Sequence, residues 1–287
     1  MRGGQWQALR LHRGLLARGH ESMLLAREGS PLFAAARAES LPCEPMRPLR
    51  VRARGFELLH AHDARSHSIA ALLGTVPLVV SRRVAFPVRR SASSRWKYSR
   101  AQLFLAVSRH VAEELVRAGV DESRVEVVYD GVPVPAQPTH GDAVLAPLTG
   151  DPEKGMALAQ EAAKLAGVDL KLSSDLAADL PQARALVYLT HSEGLGSGIL
   201  LAMAYGVTVI ASRVGGIPEL IEDGINGTLV PNEVQAVAAA LRQIDRTGAA
   251  GDTAIGRAAR RTVIERFTED RMIDSTIAAY QKVLARG

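Results

Sequence analysis

The segment 185–198 joins a buried-strand pattern to residue types that bind phosphate and sugar hydroxyl groups. An apolar run, Ala185–Thr190, leads to Glu193 and to a Gly-x-Gly-x-Gly sequence that starts at Gly194. Glycine lets the backbone approach a ligand closely, and a helix beginning near Ser197 directs free N–H groups and its positive dipole end at an anion. The pattern predicts a diphosphate site at this helix, with the Glu193 carboxylate able to accept bonds from sugar hydroxyls. An ordinary strand–turn–helix junction has the same pattern, so the loop alone is a weak signal.

Five short motifs then follow in a fixed order. They are Glu193-Gly-x-Gly, Ala202-Met-Ala-x-Gly206, Val209-Ile-Ala-Ser212, Gly215-Gly-Ile-Pro-Glu219 and Glu222-Asp-Gly-x-Asn-Gly227. Each is common alone, but the whole series within about 35 residues resembles the donor-binding half of the family 4 (group 1) glycosyltransferases. The resemblance covers nearly the whole chain through Gly3-Gly4, Arg18-Gly-His-Glu21, His60-Ala-His62, Asp130-Gly-Val132 and Glu153-Lys-Gly155.

The resemblance implies an α/β protein of the GT-B fold, with two Rossmann-like, doubly wound domains facing a cleft. It implies transfer of a sugar from a nucleoside-diphosphate sugar, with retention at the anomeric carbon. No metal and no other cofactor is implied, because protein cations and helix dipoles stabilise the departing diphosphate. The sequence likewise contains no HExxH or other metal-binding spacing.

The resemblance also implies roles for individual residues. Lys154 would contact the donor phosphates, and Glu193 would contact the transferred sugar. His62 would be catalytic in the first domain, although a lone histidine is more often structural. Because His60 and His62 alternate on a strand, they would share a face. Backbone contacts to the donor would come from Leu195, Gly196, Ser197, Gly198, Gly3 and Gly4.

Two positions depart from the family pattern. Leu201 stands where the second glutamate of the Glu-x7-Glu motif normally binds the ribose, and the loss of such a bond costs about 1.5–3 kcal/mol. Thr149 stands where a basic residue usually precedes Lys154 by five positions, and Arg213 is a candidate substitute. These departures sustain an alternative hypothesis, a catalytically impaired relative that binds a nucleotide sugar or a partner without turnover. Another GT-B enzyme, such as a nucleotide-sugar epimerase, fits the motif series less well.

The hydrophobic pattern alternates between strands and helices, which is typical of parallel α/β sheets. A proline-rich segment, Gly131–Gly141, predicts a linker between domain 1–135 and domain 136–287, whose terminal helix is expected to cross back onto the first domain. The first predicted helix, Gln5–Arg18, starts almost at Met1. The first sheet is therefore expected to lack a strand, or that strand lies outside the sequence.

Composition and charge limit the function classes. The chain has 287 residues, 47% apolar and 23% charged, which excludes a disordered protein, and it has no transmembrane run and no visible signal peptide. The single cysteine, Cys43, excludes an intramolecular disulfide and predicts a cytoplasmic protein by default.

The basic charge is concentrated in the first half. Residues 1–140 carry a net charge of +9 and residues 141–287 a net charge of −4. The densest stretch, Arg82–Arg100, contains seven basic residues, no acid and three aromatic residues. Three interpretations are open: a solvated protein surface, a site for acceptor phosphates, or a surface that contacts the inner face of an anionic membrane. Nucleic-acid binding is not expected because no binding-module motif accompanies the charge. The expected acceptor is a glycan or a lipid-linked molecule, with envelope glycan or lipopolysaccharide synthesis as the setting.

Overall fold

The computed structural model describes residues 1, 3–47, 55–74, 76–88, 91–138, 141–246 and 253–285. The chain divides into two compact units, Met1–Gly131 with Glu269–Gly287, and Val132–Thr268. The change of unit falls four residues before the predicted division at residue 135, and residues 269–287 group with the first unit rather than the second.

Helices and parallel strands alternate along the described residues. The helices are α1 (Gly3–Ala17), α2 (Pro31–Ala38), α3 (Ala64–Leu73), α4 (Ala92–Ser99), α5 (Arg109–Arg117), α6 (Met156–Ala166), α7 (Leu176–Asp179), α8 (Ser197–Ala204), α9 (Val234–Arg246), α10 (Ala254–Arg266) and α11 (Glu269–Leu284). The strands are β1 (Leu24–Ala26), β2 (Cys43–Pro45), β3 (Leu59–Ala61), β4 (Leu78–Arg82), β5 (Leu103–Ala106), β6 (Val125–Val127), β7 (Ala143–Pro147), β8 (Leu170–Ser173), β9 (Ala183–Tyr188), β10 (Thr208–Ser212) and β11 (Thr228–Val230). The predicted α/β class is confirmed.

The first unit contains two separate parallel sheets. One pairs β1 with β2, and the other has the strand order β3-β4-β5-β6. Both have the parallel register expected when helices connect neighbouring strands. The apolar faces of β4 and β5 pack with α1 and α11 in one core.

Close contact between α1 and α11 joins residues 269–287 to the first unit. A Cβ added at Gly14 would lie 2.1 Å from Ile273 Cδ1, so only glycine lets the two helices approach this closely. Ion pairs border the contact: Arg10 Nε lies 2.8 Å from Glu269 Oε1, and Arg18 Nη2 lies 2.8 Å from Asp270 Oδ1. Arg18, singled out in the sequence as part of a turn motif, therefore anchors the terminal helix.

The second unit contains one parallel sheet with the strand order β11-β10-β9-β7-β8. Its central strands β9 and β10 are almost entirely buried and mostly apolar, as expected where helices cover both faces. The helices α6 and α9 pack on one side of this core through alanine, valine and leucine. This sheet brings the loops after β7, β9 and β10 to its carboxyl edge.

The structure differs from the predicted elements mainly where apolar patterning is weak. The helix α1 begins at Gly3, so Gly3 and Gly4 lie in its first turn instead of in a preceding loop. The sequence did not predict α4, none of whose residues is buried, so it has no apolar stripe to detect. The helix α10 and the three-residue strands β2 and β11 were also missed.

Candidate active site

In the second unit, the predicted residues Lys154 and Glu193 form an ion pair. Lys154 Nζ donates to Glu193 Oε2 at 2.9 Å, and their side chains are 34% and 16% exposed. The hydroxyl of Tyr188 donates to the same oxygen at 2.8 Å, while Glu193 Oε1 accepts the Gly194 N–H at 3.1 Å. The carboxylate is thus held by three donors, and the partly exposed ammonium keeps N–H groups for a further ligand.

Tyr188 is a site residue that the sequence analysis missed. Burial, together with the neighbouring charge of Glu193 and the hydrogen bond to it, raises the pKa of Tyr188 well above its usual value of 10. The phenol therefore stays a neutral donor to Glu193 at physiological pH. A signal was available, because a tyrosine on a buried strand usually needs a partner for its hydroxyl.

The backbone around Lys154 is fixed to the loop after β9. Lys154 ends a single 3-10 turn, Pro152–Lys154, and Gly155 follows with φ +59°. A Cβ at Gly155 would lie 2.7 Å from Leu189 Cβ, so this position requires glycine for both its conformation and the space. The Glu153 carbonyl accepts the His191 N–H at 2.9 Å, which joins the two loops beside the ion pair.

The loop after β10 supports the backbone of Glu193. Gly215 has φ +55°, and a Cβ there would lie 2.0 Å from the Glu193 carbonyl oxygen. The next residue, Gly216, donates its N–H to that same oxygen at 3.1 Å. The Gly-Gly-Ile-Pro-Glu motif is thus a support for Glu193, which explains why the two motifs occur together in the sequence.

A polar network fixes the ends of β9 and β10. Ser212 Oγ accepts the Thr190 N–H at 2.9 Å and donates to Asn232 Oδ1 at 2.5 Å. Asn232 Nδ2 then donates to the Thr190 carbonyl at 3.0 Å. Thr190 and Ser212 are buried, so this network limits the freedom of the loop that carries Glu193. Asn232 was not singled out in the sequence.

The helix α8 begins four residues after Glu193, whose carboxylate pairs with Lys154. Gly196 precedes it with φ +105°, and no side chain caps the N-terminus. A Cβ at Gly198 would lie 3.1 Å from Tyr188 Cε2, so this glycine lets the helix pack on Tyr188. Leu195 and Gly196 are buried, whereas Ser197 and Gly198 are half-buried. The N–H groups in the first turn of a helix have no acceptor within the helix, and the anion site expected at this terminus stays a prediction.

The two positions that depart from the family pattern, and the candidate substitute Arg213, have the following surroundings. Leu201 is half-buried in the middle of α8. Thr149 Oγ1 accepts the Asp151 N–H at 3.1 Å and so supports the turn before Lys154. Arg213, the candidate substitute cation, pairs with Asp223 and is 54% exposed.

In the first unit, Arg83 lies beside two of the predicted site residues, His62 and Gly4. Arg83 Nε donates to Asp130 Oδ1 at 2.9 Å, and Arg83 Nη1 donates to His62 Nδ1 at 3.2 Å. A Cβ at Gly4 would lie 3.7 Å from Arg83 Cδ. Because a guanidinium only donates, His62 Nδ1 accepts, and the proton of the neutral ring is on Nε2. Burial, with the charges of His60 and Arg83, lowers the pKa of His62 well below 6.5.

His60, in contrast, uses both of its ring nitrogens for contacts within the first unit. Its ring nitrogens lie 2.6 Å from Tyr280 Oη and 2.8 Å from Ser81 Oγ, so it connects β3 to β4 and α11. Burial, with a smaller contribution from Arg83, lowers the pKa of His60 to about 3. The His60 and His62 rings lie 4.0 Å apart, as expected for alternate residues at the end of a strand.

The described residues contain no cluster of three or more histidine, cysteine or acidic side chains that could hold a metal ion. None of their helices is both long enough and apolar enough to span a membrane.

Comparison with known proteins matches both halves of the chain to glycosyltransferase families. Residues 1–134 match the family model "Glycosyltransferase Family 4", and residues 122–246 match "Glycosyl transferases group 1". Alpha-maltose-1-phosphate synthase of Mycolicibacterium smegmatis is 28% identical over an alignment of length 312, which covers 81% of this chain and 81% of that protein. D-inositol 3-phosphate glycosyltransferase of Mycobacterium avium is 37% identical over 109 residues, covering 37% of this chain and 26% of that protein.

Among solved structures, Anabaena HepE (Alr3699) in complex with UDP-glucose has a TM-score of 0.82 at 17% identity. The match covers 98% of this chain and 96% of that one. This likeness shows the fold, which is GT-B as expected. The chain is therefore an enzyme of the glycosyltransferase class, and it belongs to the family 4, group 1 glycosyltransferases.

Proposed function

We propose that the second unit binds a nucleoside-diphosphate sugar and that the enzyme transfers the sugar with retention at the anomeric carbon. The observation that carries the proposal is the Lys154–Glu193 ion pair. Its glutamate lies four residues before the first residue of α8, whose N-terminus has no side-chain cap. The Lys154 cation, the N-terminus of α8 and the Glu193 carboxylate together suit both parts of such a donor, its diphosphate and its sugar. The diphosphate would meet Lys154 and the first-turn N–H groups, while the sugar hydroxyls would meet Glu193. The UDP-glucose bound to HepE supports this choice of donor class.

The proposed reaction is metal-independent and uses fixed protein charge. The bond between the anomeric carbon and the diphosphate oxygen breaks, and a bond to the acceptor oxygen forms on the same face of the sugar. The acceptor proton leaves with the diphosphate, on which negative charge develops. Lys154 has three N–H groups and uses one of them on Glu193, so it can donate to a phosphate oxygen without releasing the carboxylate.

Substitutions at the ion pair test the proposal. Lys154→Ala and Glu193→Gln should each lower sugar transfer, and donor hydrolysis without acceptor, at least about 100-fold, because each removes a preorganised charge. The matched controls are Lys164→Ala and Glu161→Gln, which change exposed residues of α6 and should leave both rates within about twofold. Release of nucleoside diphosphate measures both reactions. Unchanged rates in either site variant would refute the site assignment.

In the first unit, we propose that His62 acts on the substrates with Gly3 and Gly4 beside it. The contact with Arg83 leaves the Nε2–H of His62 as a donor, so the ring would bind a substrate oxygen rather than take up a proton. His62→Gln, which retains a donor, should then preserve more transfer than His62→Ala. Equal loss in both variants would assign His62 a purely structural role.

A catalytically impaired relative remains the competing hypothesis, and Leu201 is the observation that favours it. If the leucine costs a bond to the ribose, Leu201→Glu should tighten UDP binding at least about tenfold in calorimetry. UDP bound by the natural chain with no hydrolysis of any nucleotide sugar would favour the competing hypothesis instead.

For the acceptor, we propose a phosphorylated or lipid-linked molecule in envelope glycan or lipopolysaccharide synthesis. One relative above has a phosphorylated sugar in its name and the other a phosphorylated cyclitol, so both names contain a phosphate ester of a polyhydroxy compound. In the first unit, Phe86 and Trp96 are 61% and 47% exposed, and the basic stretch Arg82–Arg100 surrounds them. Arg89 and Arg90 of this stretch lie outside the described residues. Exposed aromatic residues among basic ones fit an anionic membrane surface at the inner, cytoplasmic face.

Liposome flotation tests the membrane part of this proposal. The double variant Arg95→Glu/Trp96→Ser should lose binding to vesicles that contain an anionic lipid. Arg37→Glu on α2 is a control for single charge reversal at an exposed site of the same unit. If the double variant floats with the vesicles as well as the natural chain does, this stretch does not bind the membrane and that part of the proposal is wrong.

A further inference from the structure

Two positively charged side chains of the first unit, Arg82 and Lys97, line the same cavity. Arg82 is the last residue of β4, and Lys97 lies in α4. Burial, and then the charge of Arg82, lowers the pKa of Lys97 below its usual value of 10.5. The two groups are therefore close enough to repel each other. We call Arg82 and Lys97 the cation pair.

Among the described residues, no carboxylate pairs with either member of the cation pair. Arg82 donates to two uncharged oxygens, the Phe86 carbonyl at 2.5 Å and Tyr98 Oη at 3.4 Å. Lys97 Nζ lies 5.6 Å from the centre of the Tyr98 ring, a contact that leaves its N–H groups available. Two close cations without a counterion repel each other, and a bound anion removes that repulsion.

The wall that carries the cation pair is held by aromatic packing and hydrogen bonds. The Tyr98 ring stacks on the buried ring of Phe104 with the centroids 5.2 Å apart, and the His67 ring lies 5.1 Å from Tyr98. His67 Nε2 donates to the Lys97 carbonyl at 3.2 Å, and Arg124 Nη2 donates to the Tyr98 carbonyl at 2.7 Å. The backbone that presents Lys97 is thus fixed before any ligand binds.

Two further polar groups of this wall are neutral. Burial and the charges of the cation pair lower the pKa of His67 to about 4, and burial raises the pKa of Tyr98 above 10. The Tyr98 hydroxyl accepts from Arg82, so its own hydrogen is free for a ligand oxygen. Two cations and one hydroxyl donor suit a phosphate monoester, which carries a charge of about −1.5 to −2 and three acceptor oxygens. A carboxylate ligand would bring only one charge.

The cation pair is also connected to the cluster around His62. Arg83 directly follows Arg82 and donates to His62 Nδ1 at 3.2 Å. His62, Arg82 and Lys97 all line the same cavity. A molecule whose phosphate lies at the cation pair could therefore extend toward His62 without leaving this cavity.

We propose that Arg82 and Lys97 bind a phosphate monoester group of the acceptor, with the Tyr98 hydroxyl as a third donor. The inference rests on the proposed function for the presence of an acceptor, and it names the residues that would select a phosphorylated one. Arg95 and Trp96, assigned above to a membrane surface, are exposed and do not line the cavity, so the two surfaces of α4 can be tested separately.

Competitive acetylation of the natural chain, read by mass spectrometry, is the first test. Glucose 6-phosphate should slow the acetylation of Lys97 at least about fivefold, because a bound dianion favours the charged, unreactive ammonium, whereas glucose should not. Lys164, exposed on α6, is the internal control and should react at an unchanged rate. UDP should protect Lys154 instead. Failure of the donor site and failure of the cation pair therefore give separate results.

Substitution of Lys97 is the second test. Lys97→Met should weaken the binding of glucose 6-phosphate at least about tenfold in calorimetry, because it removes a charged donor, whereas Lys97→Arg should stay within about threefold. Arg37→Met removes an exposed cation of the same unit and should leave the affinity unchanged. Equal affinity in the natural chain and Lys97→Met would overturn the proposal. A loss as large in Lys97→Arg would assign the effect to packing and would also count against it.

Vesicles distinguish a soluble phosphate monoester from a lipid-borne one. Phosphatidic acid carries a monoester, whereas phosphatidylserine carries a diester. Protection of Lys97 by phosphatidic acid vesicles, but not by phosphatidylserine vesicles or glucose 6-phosphate, would support the site and assign it to a lipid headgroup. Equal protection by both anionic vesicles would overturn the proposal, because membrane contact alone would explain it. Unchanged acetylation of Lys97 with every monoester would overturn it as well.

Discussion

The ion pair of the second unit and the cluster around Arg83 in the first unit are built in different ways. Lys154 and Glu193 lie on loops whose paths are set by glycines with positive φ, at positions 155, 196 and 215. His62, Arg83 and Asp130 are instead held together by their own side chains, which extend from the ends of separate strands. In one region the backbone positions the chemistry, and in the other the side chains position each other.

This difference predicts that the Lys154–Glu193 site is more sensitive to an added methyl group than the cluster around Arg83 is. Gly215→Ala would place a Cβ 2.0 Å from the Glu193 carbonyl oxygen in a left-handed conformation. Steric overlap and backbone strain should together cost about 4 kcal/mol of unfolding free energy and should lower sugar transfer at least about 100-fold. Urea unfolding and a transfer assay measure the two effects.

Gly224→Ala is the matched control, because Gly224 also has positive φ but a Cβ there meets nothing within 4 Å. It should cost only the strain, about 1–2 kcal/mol, and leave transfer largely intact. If both variants behave alike, contact between the Gly215 loop and Glu193 is not what positions the carboxylate.

The first unit should respond instead to the loss of a side-chain charge. Arg83→Met removes the ion pair of Asp130, whose side chain is 9% exposed, and should cost about 3 kcal/mol of unfolding free energy. Arg83→Met/Asp130→Asn should recover part of this loss, since the buried carboxylate charge is then removed together with the guanidinium that pairs with it. Denaturant unfolding of the single and double variants gives the coupling energy. Additive losses in the double-mutant cycle would show that the pair does not act as a unit.

The role of Tyr188 tests whether side chains also matter in the second unit. Tyr188→Phe keeps the ring that packs on Gly198 and removes only the hydroxyl that donates to Glu193. A hydrogen bond to a charged group is worth about 1.5–3 kcal/mol, so transfer should fall about 10- to 100-fold with little change in Tm. Separate measurement of kcat and KM shows whether the substitution slows the reaction of the bound substrate or weakens substrate binding. Activity equal to that of the natural chain would make Lys154 and the backbone sufficient to position Glu193.

How far each region could be predicted from the sequence follows from the same contrast. A site positioned by its backbone leaves glycines at fixed spacings, and this is why the loops carrying Lys154 and Glu193 were identified from short motifs. A site positioned by side chains leaves only separate residues. His62 was found through its spacing from His60, but Arg83 was read only as one member of a basic stretch. Its pairing with Asp130 depends on which strands are neighbours, and local spacing does not contain that information.

The last expected effect, which is absent at neutral pH, is a pH dependence of stability that originates in the first unit. His60 has a pKa of about 3 in the folded chain against 6.5 for the free side chain, because burial disfavours its charged form. Between these two values the unfolded chain binds more protons, so the free energy of unfolding falls as the pH is lowered from 6.5 toward 3, by at most about 1.4 kcal/mol per pH unit for one histidine. Above pH 6.5 this histidine contributes no slope. The variant His60→Gln keeps hydrogen-bonding groups near Tyr280 and Ser81 but cannot titrate, so its stability should fall less steeply over pH 6 to 4. Equal slopes in the two proteins would mean that His60 takes up its proton without leaving its buried position. The burial of His60 would then contribute no pH dependence of stability to the first unit.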